Sequence, residues 1–129
     1  MQLTLENPDF RYTLRGADSR GARVNDRQLD ASFILAPNQL VENWRPRAIA
    51  DLTEQDLDAV LALSPSVVLL GSGGSLVFPP AAVMAACLTR GIGMEVMDNA
   101  AAARTFNVLA TEGRRVVAAF LIWAGPKIG

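Results

Sequence analysis

Between Val67 and Asp98 the sequence passes through an apolar tetrad, a glycine turn, a small-residue stretch and a second apolar segment, and few folds accept that order. Val67-Val68-Leu69-Leu70 has no polar alternate, as expected of a strand covered on both faces. Gly71-Ser72-Gly73-Gly74 follows, and Pro79-Pro80 opens a helix over residues 80–90 that Gly91 ends. A strand over residues 93–97 comes next, then Asp98 or Asn99 as the cap of a helix over residues 99–112, which Gly113 terminates. Residues 115–123 supply the last strand. Strand–helix–strand units of this length close with parallel strands and right-handed crossovers.

The first half has a different period. Leu29, Ala31, Phe33 and Leu35 alternate up to the turn signal Ala36-Pro37-Asn38, and residues 39–44 return as another strand. With the turn formers Val24-Asn25-Asp26-Arg27 before them, these segments predict an antiparallel meander. Near Ala50 the pattern becomes helical. Thr53 and Asp56 stand as N-cap and third residue of a capping box, and Leu52 and Leu57 as a hydrophobic staple, for a helix over residues 53–62. The expectation is one α/β domain over residues 1–129, with an ordered core from about residue 10 to 124 and a mixed sheet with parallel units in its C-terminal half.

Composition narrows the chemistry. The chain has no histidine and one cysteine, so the commonest general base and metal ligand is missing, and neither an internal disulfide nor a cysteine-rich zinc site can form. No metal or cofactor is expected. A net charge of −1 argues against nucleic acid as a partner, because binding phosphates calls for a basic excess. The first residues carry no basic segment followed by an apolar one, and no run approaches the ~20 apolar residues of a membrane span; a cytoplasmic protein is expected.

Two regions stand out as places where a ligand would sit. In an open parallel sheet ligands bind beyond the carboxyl ends of the strands, which here means Gly71, Ser72, Gly73 and Gly74 together with Asp98 and Arg104. The glycine turn invites a phosphate. Yet the third glycine of a dinucleotide fingerprint is replaced by Leu76, no Walker lysine is near, and the apolar Leu76-Val77-Phe78-Pro79-Pro80 follows at once. A tight strand-to-helix turn explains the glycines more simply. Asp98 reads as a helix cap, and Arg104, Asn107 and Thr111 as the wet side of the helix. Cys87, among alanines, reads as core filler. Trp44 and Arg45 offer either an interface anchor or a core tryptophan covering the sheet edge.

Several segments together resemble a known family. Val68-Leu69-Leu70-Gly71-Ser72-Gly73 is similar to its strand and Gly-x-Gly turn, and residues 91–98 to its Gly-Ile segment ending in Met-Asp. Ala102-Ala103-Arg104-Thr105-Phe106-Asn107-Val108-Leu109 before Glu112-Gly113-Arg114 resembles its helix signature. The Val24-Asn25 hairpin, Phe33-Ile34-Leu35-Ala36-Pro37 and Trp44 match in order, so the likeness runs from about Arg23 to Ala124. The family is a small single-domain one of unknown function in bacteria and archaea, related to the mitochondrial complex I assembly factor three and to a cytosolic adipogenesis-associated protein. Ser72 stands where many relatives have threonine. The resemblance implies a three-layer α/β fold with the meander on one side of the sheet, an assembly or interaction role for one eukaryotic branch, and no activity, cofactor or catalytic residue. Two functions follow as expectations: a non-enzymatic protein-interaction or assembly module with an unidentified protein partner, or a small-molecule-binding protein or enzyme using the Gly71–Gly74, Asp98 and Arg104 crevice.

Overall fold

The computed structural model describes residues 11–125. Two sheets form. A three-stranded antiparallel sheet has the order β1 (Leu14–Ala17), β2 (Ala22–Val24), β3 (Arg27–Leu29). A five-stranded mixed sheet contains β4 (Ala31–Ala36), β5 (Gln39–Glu42), β6 (Val67–Gly71), β7 (Gly93–Met97) and β8 (Val116–Trp123) in the order β5-β4-β8-β6-β7. β6 runs parallel to both β7 and β8, and β4 antiparallel to β8 and β5. The helices are α1 (Asp58–Leu61), α2 (Ala81–Leu88) and α3 (Asn99–Thr111). The mixed α/β class and both parallel units agree with the sequence.

The central strands β6 and β8 are apolar on every residue because both of their faces meet a core. On one face Phe33, Leu35, Leu69, Phe120 and Ile122 meet Phe106 of α3 and Val24 and Leu29 of the small sheet. On the other, Ile34, Val68, Leu70, Ala119 and Leu121 meet Trp44, Leu57, Val60, Val83 and Cys87. The rings of Phe33 and Phe120 stack across β4 and β8 with centroids 4.9 Å apart, a geometry worth about 1 kcal/mol beyond area burial.

The alternation through Leu29, Ala31, Phe33 and Leu35 is not one strand. The chain changes sheet at Asp30, Ala31 is exposed, and Ile34 and Ala36 are as buried as their neighbours. The period of two survives because Leu29, Phe33 and Leu35 share one core from two sheets. β5 stops at Glu42, short of the expected residue 44, because Asn43 takes the left-handed region (φ 58°) and the Trp44 N–H returns to the Ser32 carbonyl at 2.9 Å. The segment expected as a helix over residues 53–62 is a 3₁₀ turn, Glu54–Leu57, leading into the single turn of α1. Gly91 and Gly113 end α2 and α3 with φ 72° and 77°, as their places in the sequence require. The expected loose ends, up to Asp9 and from Gly125, lie outside the described residues apart from Gly125 itself.

Candidate functional site

The glycine turn sits where the α/β rule puts ligands, beyond the carboxyl ends of β6 and β7, but the N–H groups of Ser72 and Gly73 are already engaged. Asn99, the first residue of α3, is fully buried. Its Oδ1 accepts from the Gly73 N–H at 3.1 Å, and its Nδ2 donates to the carbonyls of Leu121 at 2.9 Å and Asp18 at 2.8 Å. The Asn99 N–H donates to the Gly73 carbonyl at 2.8 Å, so the two residues clasp each other. The Ser72 N–H donates to the Met97 carbonyl, its hydroxyl reaches the Ser75 carbonyl at 2.7 Å, and the same oxygen accepts from the Val77 N–H. A phosphate needs several free N–H groups from one turn. Here those of Ser72, Gly73 and Val77 have protein partners.

The glycines follow from this packing. A Cβ on Gly71 would overlap the Asn99 side-chain oxygen and meet Phe120 at 3.0 Å. Gly73 has φ 112°, which side chains rarely adopt. Gly74 lies over Ser19 of the β1–β2 turn. Asp98 caps α3, its Oδ1 accepting from the Ala101 N–H at 2.8 Å. The geometry therefore joins Gly71, Ser72, Gly73 and Asp98 and leaves Arg104 out. Arg104 is exposed, about 9 Å further along α3 and two-thirds of a turn round it. Asn107, expected on the wet side of the helix, instead accepts from the Leu14 N–H at 3.0 Å and donates to the Leu14 carbonyl at 2.7 Å. One amide thus supplies β1 with both bonds of a neighbouring strand.

Trp44 turns inward, while Arg45 stays exposed and is taken up by local carboxylates. Trp44 is 7% exposed and its indole N–H donates to the Asp56 carbonyl at 2.9 Å, so it covers the core and leaves no free ring for a partner. Arg45 grips Asp56 with two bonds, at 2.9 Å and 2.6 Å, and meets Asp51 at 3.0 Å. The guanidinium, and then the Thr53 N–H and hydroxyl, hold the Asp56 carboxyl down at about 2. The Arg47 N–H, then Arg45, lowers Asp51 as well. No local pattern announces this clasp, because it joins the exit of β5 to the 3₁₀ turn across a proline.

What the surface does show is apolar. Leu76, Val77 and Phe78 are 52%, 45% and 63% exposed, and Leu88 on α2 is 61% exposed. No charged residue lies between Asp58 and Arg90. On α2 only Val83 and Cys87 are buried, and the outward positions are Ala81, Ala82, Ala85 and Leu88. A soluble helix normally turns charges outward; this one presents apolar groups to solvent beside an apolar loop. A cleft of about 800 Å³ lies elsewhere, lined by Arg20, Asp30, Asn43, Arg47 and the exposed Trp123 among others. Among the described residues no group of three or more carboxylate or thiol side chains is placed to hold a metal ion, and no helix is long and apolar enough to cross a membrane.

Known proteins resemble this chain over most of its length. Residues 14–121 match the family model described as Protein of unknown function (DUF498/DUF598). A Bos taurus protein named NADH dehydrogenase (ubiquinone) 1 alpha subcomplex assembly factor 3 is 33% identical over 121 residues, 92% of this chain and 65% of that one. The chain spans 56% to 65% of the length of the four mammalian proteins of that name. A Francisella tularensis protein named 13 kDa major membrane protein is 29% identical over 94 residues, 72% of this chain and 76% of that one. The NMR structure of a Xanthomonas campestris protein superposes with a TM-score of 0.84 at 53% identity, covering 100% of this chain and 98% of the other.

Proposed function

The chain belongs to the DUF498/DUF598 family of proteins of unknown function, and from that premise we propose that it works by holding another protein, without covalent catalysis. The exposed apolar surface of Leu76, Val77, Phe78 and the outer side of α2 carries this reading. Contiguous apolar groups left in water mark association sites more often than accidents of composition, and an exposed aromatic in such a patch is the usual anchor. The name of the mammalian relatives, an assembly factor, supports the same reading. The engaged donors of the glycine turn weigh against a phosphate-binding crevice. A net charge of −1 argues against nucleic acid as the partner, and a cytoplasmic location is part of the same proposal.

The test is cross-linking of the tagged chain in native lysate, with Phe78→Asp as the comparison. Phe78 is mostly exposed, so the variant should keep its thermal midpoint while recovery of the cross-linked partner falls at least ~10-fold. Equal recovery by both chains, or a metabolite carried through purification and lost on Asp98→Asn, would overturn the reading.

A further inference from the structure

β7 is an edge of the five-stranded sheet, paired with β6 alone. The carbonyl of Met97 accepts from the Ser72 N–H on the β6 side. Backbone direction alternates along a strand, so Gly93, Glu95 and Met97 bond inward, and the N–H and C=O groups of Met94 and Val96 face the open edge. None of these four groups has a hydrogen-bond partner among the described residues. An edge of this kind is a template for another strand.

Side chains on either side of the edge show what would lie there. Met94 and Val96 turn to the α2 face, where they join its core, and Met97 to the α3 face; Glu95, in phase with Met97, therefore lies on the α3 face and is exposed. Ala86, Thr89 and Arg90 line the side of α2 next to the 3₁₀ turn. Leu88, about 200° round the helix from Ala86, overhangs the side above β7. The open edge thus offers an apolar shelf on one face and a single carboxylate on the other, with no cation within 4 Å among the described residues. Glu42, on the opposite edge strand β5, is already paired with Arg27 at 2.7 Å.

We propose that β7 accepts an extended segment of a partner protein as a sixth strand, one with a lysine or arginine facing Glu95 between two apolar residues that pack beneath Leu88. This rests on the protein-binding reading and names how the partner is held. A second copy of the chain is the poorer occupant. The longest antiparallel self-pairing sets two Glu95 carboxylates opposite each other, with Cα atoms about 4.5 Å apart, where like charges destabilise. A basic residue in that place gains what a second glutamate loses.

The probe is the capped peptide Thr-Val-Lys-Val-Thr, followed by amide NMR of the full chain. Saturable shifts of the Met94 and Val96 amides at about millimolar peptide, with slowed exchange at those two positions, are expected. Glu95→Lys should weaken that peptide at least ~10-fold and bind Thr-Val-Glu-Val-Thr instead. Glu95 is exposed, so the exchange should leave the fold intact. Amides of Met94 and Val96 already slow in the protein alone, no saturation by either peptide, or equal binding by the glutamate and lysine forms would overturn the proposal. A Phe78→Asp effect in the lysate would stand regardless, so this proposal and the protein-binding reading fail separately.

Discussion

α2 and α3 pack on opposite faces of the same sheet and are held there differently. α3 is 13 residues long, capped by Asp98, and buries Asn99, Ala102, Ala103, Phe106 and Ala110. Two of its amides reach other elements, Asn99 to the glycine turn, β8 and the β1–β2 turn, and Asn107 to β1. α2 has eight residues, no side-chain cap, and two buried side chains. A helix fixed by buried amides gains definition as well as energy, since each amide has one geometry that satisfies it. A helix fixed by Val83 and Cys87 keeps its outer side for other use. The difference teaches which side of the sheet is scaffold and which is available.

The largest effect expected from this contrast is at Phe106. Phe106→Ala should cost ~3–5 kcal/mol in urea melts, since the ring is fully buried between α3 and both sheets; a loss below ~1 kcal/mol would remove α3 from the scaffold. Asn99→Ala comes next, at ~2–4 kcal/mol, because it leaves the Gly73 N–H and the Leu121 and Asp18 carbonyls without their partner. Recovery of that loss by adding Gly71→Ala, which fills the vacated space, would sharpen the reading of Gly71 as a glycine required by Asn99.

On the α2 side the effects shrink. Asp56 has a folded pKa of about 2 against an ordinary 3.8, so its contribution is complete above pH ~4 and is lost as pH falls through 2. Asp56→Asn should cost about 1–2 kcal/mol at pH 7, discounted for the solvent around Arg45, and should flatten the fall in stability between pH ~4 and ~2. An unchanged slope in acid titration followed by circular dichroism would count against the clasp. Smallest of all is Leu88→Asp, expected within ~0.5 kcal/mol of the parent. A larger loss would mean that α2 packs as firmly as α3, and the comparison would break.

The same division decides what could be read in the chain. Whatever depends on neighbours in sequence was legible: the apolar run of β6, the Asp98 cap, the Phe106 face, and the glycines at 91 and 113 that end two helices. The Thr53 and Asp56 pair was legible too, although the turn that it starts is 3₁₀ before it is α. Contacts between distant residues were not. Asn99 lies 81 residues from Asp18 and Asn107 lies 93 from Leu14, and an asparagine on a helix looks the same whether it meets water or a strand. The glycine turn does lie at the carboxyl ends of the parallel strands, but nothing in its own sequence announces that Asn99 packs into it. Trp44 and Arg45 are adjacent in sequence, and only the fold shows that both serve the turn at Asp56.

The reach of those two amides also sets the order in which the protein can be finished. A chain made from its amino end exposes Leu14, Val24 and Leu29 long before residues 99–107 exist. Until α3 emerges, the small sheet has neither its helical neighbour nor the Asn99 amide that donates to the Asp18 carbonyl, and a three-stranded sheet of such short strands is marginal alone. Its apolar side must stay unattached while most of the remaining chain is synthesised. Closing loops of this length is slow compared with local folding, so the small sheet, though made before α3, is among the last elements to find its place.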